Sequence, residues 1–284
     1  MRKLAVTLTC WTALGLGQPF DERPPLPDWV AVEANIAYDQ HKETVLDILR
    51  PKAPVAGKRP GVIVIHGGGW TGGAKDDMVA GFCLPYLEQG FVVANVEYRL
   101  AKAATAPAAV TDVLNAAQWF IRNANKYGVD RKRIVATGAS AGGHLALMVG
   151  MTPKSARLGP AVDIAAVVNV YGITDVEDQL EGPNQRDYAV TWIPPQAGRM
   201  ELARKLSPMT YVRREVPAIL TLHGDADEIV PYEHGYNLTK ALRDEGAEAQ
   251  LISVPQGKHG FSKEEWKGLL AQTFTFLRAR GILR

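Results

Sequence analysis

The chain has 284 residues, of which 46% are hydrophobic and 22% are charged, an ordinary balance for a globular protein that buries a large core. Its formal net charge is +2 at pH 7 and its basic residues are scattered, which argues against nucleic acid as a partner. The two cysteines lack zinc-site spacing and cannot form a disulfide framework, so neither metal nor disulfides are expected to hold the fold.

The N-terminal residues 1–17 have the pattern of a signal peptide. A positively charged start at residues 2–3 precedes an apolar run over residues 4–16, which is too short to span a bilayer as a helix. The alternative is a strand or helix packed on the domain. The pattern favours a secreted or periplasmic protein over a cytoplasmic one. A proline-rich linker over residues 18–29 and a single domain over residues 30–284 are then expected.

Short apolar runs rich in β-branched residues recur through this domain. The first two, Val30–Ala37 and Thr44–Leu49, are typical of antiparallel strands. The later runs lose the polar alternation of a half-exposed strand, which predicts a parallel sheet buried on both faces. These later runs cover residues 62–65, 91–96, 133–138, 164–170, 218–223 and 249–254.

The stretches between the runs have helical length and spacing, and each connection is long enough for a right-handed crossover. They cover residues 77–89, 107–126, 141–151, 233–245 and 263–280. The sequence therefore predicts one doubly wound α/β domain with a mostly parallel sheet.

One connection is unusually long, because about forty residues, 171–211, separate two of the strands. A connection of this length is usually functional. We expect it to be an insertion that shapes a substrate pocket, with Trp70 and Trp192 as candidate substrate-binding walls. The alternative for Trp192 is that it covers the edge of the core.

The segment Gly138-Ala139-Ser140-Ala141-Gly142 joins a buried strand to a helix. A serine on so tight a turn is held in a strained conformation that exposes its hydroxyl, and side chains at the flanking glycines would collide with the neighbouring strand and helix. The helix N-terminus also directs free N–H groups toward whatever the serine attacks. Ser140 is therefore predicted to be a nucleophile. The alternative is a glycine-rich turn that only packs.

A hydroxyl needs a base within reach, and in this architecture an acid and then a histidine follow the serine along the chain. His259 meets the requirement, because it follows the last strand in a glycine-flanked loop that can carry an imidazole over the sheet edge. The other histidines precede the serine, or belong to a helix or strand that keeps them from that position; they are His41, His66, His144, His223 and His234.

The acid is expected on the loop after the preceding strand, within LHGDADEIVP. Asp225, Asp227 and Glu228 all lie there, and spacing alone does not choose between the two aspartates. Asp227 is favoured because it lies further from the strand end, where the chain has turned away, whereas Asp225 is expected to cap the turn. The acid would hold the His259 ring in the right tautomer and stabilise the imidazolium.

The segment HGGGW, residues 66–70, directly follows the strand VIVI. Three glycines leave backbone N–H groups bare, and together with the N–H of Ala141 they can form an oxyanion hole. The competing interpretation is a phosphate-binding loop. It fails because no GK[ST] follows and no GxGxxG opens a helix.

Five ordered motifs resemble the α/β-hydrolase superfamily. They are most similar to the carboxylesterase group that includes hormone-sensitive-lipase-like esterases and acetyl xylan and feruloyl esterases of the BD-FAE type. The motifs are HGGGW (66–70), EYRLA (97–101), GASAGGHLAL (138–147), HGDADEIVP (223–231) and GKHGF (257–261), and the resemblance covers roughly residues 30 to 280.

This resemblance implies that Asp227 is the acid and that Gly68, Gly69 and Ala141 are the oxyanion donors. It also implies a mainly structural role for Tyr98 and Arg99. Two departures matter: KAATAPAA replaces a proline- and phenylalanine-containing run after YRLA, and the large N-terminal cap is missing. The capless, polysaccharide-deacetylating and feruloyl esterase branch therefore fits better, with a minimal cap.

The expected activity is hydrolysis of small acetyl or feruloyl esters, including those on plant polysaccharides, through Ser140, His259 and Asp227 and an acyl-enzyme. The expected partners are a small-molecule or carbohydrate ester, with no cofactor, metal, nucleic acid or membrane span. An amide hydrolase, either kynurenine formamidase-like or an exopeptidase, would use the same triad. A binding protein on a hydrolase scaffold is a third class, although such proteins usually lose a triad member. The sequence does not indicate an oligomeric state.

Overall fold

Eight strands form a single mixed sheet in this computed structural model, which describes residues 25–284. The spatial order is β1-β2-β4-β3-β5-β6-β7-β8. β1 and β2 run antiparallel to their neighbours, and β3 to β8 are parallel, which confirms the predicted fold class. The strands are β1 (Val30–Ala37), β2 (Val45–Pro51), β3 (Arg59–Ile65), β4 (Val92–Val96), β5 (Val129–Ala139), β6 (Ala166–Val170), β7 (Ala218–Gly224) and β8 (Ala249–Val254).

The α-helices lie between these strands and after the last of them. They are α1 (Leu84–Glu88), α2 (Ala108–Asn123), α3 (Ala141–Met151), α4 (Asp187–Trp192), α5 (Arg199–Lys205), α6 (Glu233–Asp244) and α7 (Lys263–Ala279). α4 and α5 belong to the long connection between β6 and β7. Short 3₁₀ turns lie at Lys154–Ala156, Gly182–Asn184 and Pro208–Tyr211.

The predicted helical stretch at residues 77–89 is helical, but it is not one regular α-helix. A 3₁₀ turn at Lys75–Met78 leads into a π-helical turn at Val79–Cys83, and only Leu84–Glu88 is α-helical. Pro85 supplies the reason, because a proline has no N–H to donate to the preceding turn and is tolerated only where a helix begins.

The parallel strands are buried on both faces, as their apolar runs predict. On one face Ile63 and Ile65 belong to a core that also contains residues of α2, α3 and α6. On the other face Val62 and Val64 belong to a second core, which contains residues of α1 and α7. Successive side chains of a strand point to opposite faces, so an uninterrupted apolar run supplies both cores at once.

The predicted signal peptide, residues 1–17, lies outside the described residues and stays a prediction, as does most of the predicted linker, residues 18–29. Among the helices of residues 25–284, none has the combined length and hydropathy of a transmembrane span. The carboxyl ends of β3 and β5 to β8 meet at one edge of the sheet, where a ligand crevice is expected in an open α/β sheet.

Candidate active site

Ser140 lies on the turn between β5 and α3 with a backbone φ of 57° and ψ of −123°, a conformation that is costly for any residue except glycine. β3 approaches this turn so closely that positions 138 and 142 have room only for glycine. A Cβ atom would lie 2.4 Å from the Ile65 carbonyl oxygen at position 138 and 2.2 Å from it at position 142. The surrounding backbone therefore fixes the strained turn, and the Ser140 hydroxyl faces an open cavity.

His259 contacts Ser140 from the loop after β8. The His259 Nε2 atom lies 3.0 Å from Ser140 Oγ, and its Nδ1 atom lies 2.7 Å from Asp227 Oδ2. Because a carboxylate only accepts, Nδ1–H donates to Asp227, which leaves Nε2 to accept the Ser140 hydroxyl proton. The structure thus brings together the three side chains that the sequence predicts as nucleophile, base and acid.

The carboxylate of Asp227 is buried and surrounded by donors. Its Oδ1 atom accepts the backbone N–H groups of Ile229 and Val230 at 2.9 and 3.0 Å. Burial acts to raise the pKa of Asp227, but hydrogen bonds from His223, His259 and the Ile229 N–H outweigh it and hold the pKa well below its usual range. Asp227 therefore stays ionised around neutral pH.

The alternative acid, Asp225, lies apart from the histidine. Its Oδ1 atom accepts the backbone N–H of Gln256 at 2.6 Å, so it binds the loop between β8 and His259 rather than only capping its own turn. The imidazole of His223 is fully buried behind Asp227, with Nε2 at 3.0 Å from the Val230 carbonyl and 3.4 Å from Asp227 Oδ2. Asp227 thus lies between two histidines, only one of which reaches the serine.

The glycine loop after β3 lies opposite His259 in the same cavity. Gly68 and Gly69 line the cavity together with Ser140, and among the described backbone hydrogen bonds neither of their N–H groups is a donor. Ala141 begins α3, so its N–H belongs to the first helical turn, which has no intrahelical acceptor. None of these three N–H groups therefore has a described acceptor within the protein backbone.

A buried polar network supports this loop from behind. Both ring nitrogens of His66 face acceptors, with Nδ1 at 2.8 Å from the Gly67 carbonyl and Nε2 at 3.1 Å from Glu97 Oε1. Burial acts to raise the pKa of Glu97, but hydrogen bonds from His66 and from the Lys75 N–H lower it overall. The Tyr98 ring stacks on His66 with centroids 4.1 Å apart, and its hydroxyl donates to the His66 carbonyl.

Arg99, the partner of Tyr98 in the EYRLA motif, has a separate role. Its guanidinium forms a bidentate pair with the fully buried carboxylate of Asp112 on α2, and the Arg99 backbone N–H donates to the same group at 3.0 Å. This pair ties the segment after β4 to α2 and does not line the cavity.

The cavity at the sheet edge measures about 710 Å³, within the usual range of small-molecule sites. Its walls come from the glycine loop, the turns after β5 and β6, the insertion and the two loops that carry the acid and the base. The lining residues are Gly67, Gly68, Gly69, Thr71, Ala139, Ser140, Tyr171, Asp187, Tyr188, Thr191, Ile229 and His259.

The expectation that Trp70 and Trp192 line the pocket needs correction. Both indoles are fully buried and stack on each other, with centroids 4.0 Å apart and planes 13° apart. Two large apolar rings remove more surface from water against each other than on a cavity wall. The insertion does shape the cavity, but through other residues of α4, namely Tyr188 and Thr191.

Tyr171 and Tyr188 are among the cavity residues that the sequence does not identify. Tyr171 directly follows β6, so its side chain lies at the carboxyl edge of the sheet. This position in the sequence could have identified Tyr171 as a cavity residue. Its ring lies 4.6 Å from the His259 ring, and burial followed by the nearby Asp227 charge raises its pKa to about 12. Tyr188 packs on Gly69, where a Cβ atom would lie 2.7 Å from it, and no sequence pattern marks that contact.

Comparisons with known proteins agree with this architecture. A family model described as BD-FAE matches residues 46–242, well over half of the chain. Esterase LipC of Mycobacterium tuberculosis is 28% identical over 237 residues, which cover 80% of this chain and 59% of LipC. Esterase LipQ of the same organism is 29% identical over 233 residues, which cover 78% of this chain and 55% of LipQ. The chain thus spans little more than half the length of these curated relatives.

A solved structure described as a truncated form of a carbohydrate esterase from gut microbiota shares the fold. It superposes with a TM-score of 0.77 and 29% sequence identity, covering 90% of this chain and 98% of that one.

Proposed function

The chain belongs to the BD-FAE family of α/β-hydrolases, and from that membership we propose that it is a serine esterase that hydrolyses small acyl esters on plant polysaccharides. The observation that carries the proposal is the hydrogen-bonded series from Ser140 through His259 to Asp227 on the floor of an open cavity. A serine hydroxyl with an imidazole acceptor on one side and bare N–H groups on the other is suited to acyl transfer.

The reaction proceeds in two halves. Ser140 Oγ attacks the acyl carbon while His259 Nε2 takes its proton, and the resulting oxyanion accepts N–H groups of Gly68, Gly69 and Ala141. The C–O bond to the alcohol then breaks, and the leaving oxygen takes the proton from His259. Water, deprotonated by His259, attacks the acyl-enzyme and releases the acid and the free serine. Asp227 stays ionised and stabilises the imidazolium in both halves.

The size of the cavity supports an acetyl or a feruloyl acyl group. Ile229 and Tyr188 give its walls apolar surface, and a volume of about 710 Å³ exceeds what an acetyl group needs. The glycine loop adds no side chain beside Ser140, so a planar aromatic acyl group has room next to the oxyanion donors.

Replacement of the nucleophile tests the proposal. Ser140→Ala should reduce kcat on p-nitrophenyl acetate to background, a loss on the order of 10⁶-fold, with the free energy of unfolding retained. Ser253→Ala, at an exposed serine on β8, is the matched control and should keep its activity. Covalent labelling by a fluorophosphonate should occur in the wild type and the control only. Full activity of Ser140→Ala would refute the assignment, and a wild-type chain that takes no label would indicate a binding protein.

A substrate panel separates ester from amide hydrolysis, since the same three side chains serve both bonds. The panel consists of acetate and ferulate esters, N-formylkynurenine and a dipeptide. The proposal predicts turnover of the esters above the two amides. Faster turnover of N-formylkynurenine or the dipeptide would identify an amide hydrolase instead.

A further inference from the structure

A second, smaller cavity of about 260 Å³ shares Tyr171 with the active-site cavity. Its walls are Phe82, Tyr171, Gly260, Phe261 and Trp266, which we call the aromatic cleft. Four of its five residues are aromatic, and all four remain partly exposed to solvent. They come from four separate parts of the chain, namely the π-helical turn, the end of β6, the loop after β8 and α7.

The rings are held in fixed orientations. The Trp266 indole N–H donates to the Gly81 carbonyl at 2.9 Å, and the Phe82 ring lies 4.9 Å from the Trp266 ring. The planes of Phe261 and Trp266 are 11° apart. Partly exposed aromatic side chains that converge on a concave surface with fixed ring planes are a feature of ligand sites rather than of a solvated surface.

The aromatic cleft shares a wall with the active-site cavity. Tyr171 lines both the active-site cavity and the aromatic cleft, and its ring lies 4.6 Å from His259 and 5.2 Å from Phe261. Gly260 and Phe261 directly follow His259 in the chain. A group that extends past the imidazole of His259 therefore enters the aromatic cleft.

From this placement we infer that the aromatic cleft binds the sugar ring of the alcohol part of the ester, while the acyl group occupies the larger cavity. The inference rests on the proposed function and assigns a binding site to the alcohol part of the substrate. The leaving oxygen must take its proton from His259 Nε2, and it points away from the oxyanion donors, so the alcohol lies on the His259 side of Ser140. The C–H groups on one face of a sugar ring pack on the electron-rich faces of aromatic rings.

The test keeps the acyl group constant and varies the alcohol. The kcat/KM for a methyl xyloside acetate is divided by that for ethyl acetate, whose alcohol is too small to reach the aromatic cleft. Trp266→Leu and Phe261→Leu should lower this ratio about five- to tenfold, mainly through KM, and Trp266→Phe should restore most of it. Trp29→Leu, at an exposed tryptophan in a different surface cavity, is the control and should leave the ratio unchanged.

The outcomes separate this inference from the proposed function. An unchanged ratio in both leucine variants, with both esters still hydrolysed, would overturn the sugar assignment alone. The same holds if cyclohexyl acetate, an apolar ring of similar size, loses turnover in those variants while the xyloside ester does not. A wild-type protein that hydrolyses none of these esters would overturn the proposed function and this inference together.

Discussion

Two residues of this site, Ser140 and Asp227, are held in place by the surrounding backbone. Ser140 is held in a strained backbone conformation, which costs on the order of 1–3 kcal/mol and persists because β3 and α3 enclose the turn. Asp227 accepts two backbone N–H groups on one oxygen and faces two imidazoles with the other. The position of the Asp227 carboxylate is therefore fixed before any substrate binds. Its hydrogen bond to Nδ1 in turn orients the His259 ring.

We expect Asp227→Asn to lower kcat on p-nitrophenyl acetate on the order of 10⁴-fold, because an amide no longer fixes the His259 tautomer or stabilises the imidazolium. Steady-state kinetics give the measurement. Asp225→Asn is the matched control, and it keeps an oxygen that can accept the Gln256 N–H, so its kcat should fall far less. Equal losses in the two variants would contradict the assignment of Asp227 as the acid.

At the scale of elements, a buried aromatic cluster attaches the insertion to the sheet edge. Trp70 from the glycine loop stacks on Trp192 of α4, and its indole N–H donates to His144 Nδ1 on α3 at 3.2 Å. The opposite nitrogen, Nε2–H of His144, donates to the Leu206 carbonyl at 2.7 Å. One neutral imidazole thus joins the glycine loop, α3 and the segment after α5, and its protonation would remove the acceptor that Trp70 uses.

This arrangement predicts a loss of stability in mild acid. Burial lowers the pKa of His144 from 6.5 to about 4 in the folded protein. The contribution of neutral His144 to the free energy of unfolding is therefore complete above pH 6.5, the pKa in the unfolded chain. It is lost as the pH falls toward the folded-state pKa. The free energy of unfolding should fall by about 2 kcal/mol between pH 7 and pH 5 through this group. Urea unfolding of the wild type and of His144→Gln at several pH values measures this change in the free energy of unfolding. Glutamine can donate to and accept from the same two partners but does not titrate, so the variant should lack the His144 part of the pH dependence.

His41→Gln, at a histidine in the turn between β1 and β2, is the control for this measurement and should keep the wild-type pH dependence. Parallel pH profiles for wild type and His144→Gln would show that His144 does not carry the effect.

At the scale of the whole molecule, the site exists only where several segments meet. Residues 66–70, Ser140, Tyr171, Asp227 and His259 follow five strands that are distant in sequence but end at one edge of the sheet. The insertion shares the Trp70–Trp192 contact with the glycine loop, so its packing and the packing of the site are parts of one core.

We therefore expect a single unfolding transition. Far-ultraviolet circular dichroism, tryptophan fluorescence and fluorophosphonate labelling should be lost at the same urea concentration, because sheet, insertion and site share buried contacts. Labelling that disappears at a lower urea concentration than the circular dichroism signal would show that the insertion unfolds separately and would contradict a single domain over residues 30–284.

The fold and the polar constituents of the site were accessible from the sequence because their signals are local. Uninterrupted apolar runs such as residues 62–65 and 218–223 require burial on both faces, and a glycine-flanked serine between strand and helix requires a tight turn. The order of strands then places the loops that follow them at one edge. His259 and the glycine loop could be selected on these grounds, with no knowledge of tertiary contacts.

Other features depended on contacts that only the folded chain creates. Asp225 and Asp227 are two residues apart in the sequence. Which of them contacts His259 depends on how the loop after β7 packs against the loop after β8. Trp192 packs on Trp70 instead of the cavity because α4 turns its apolar face toward the glycine loop. Spacing along the chain determines which groups reach the sheet edge, whereas packing between segments determines which side chains face the substrate.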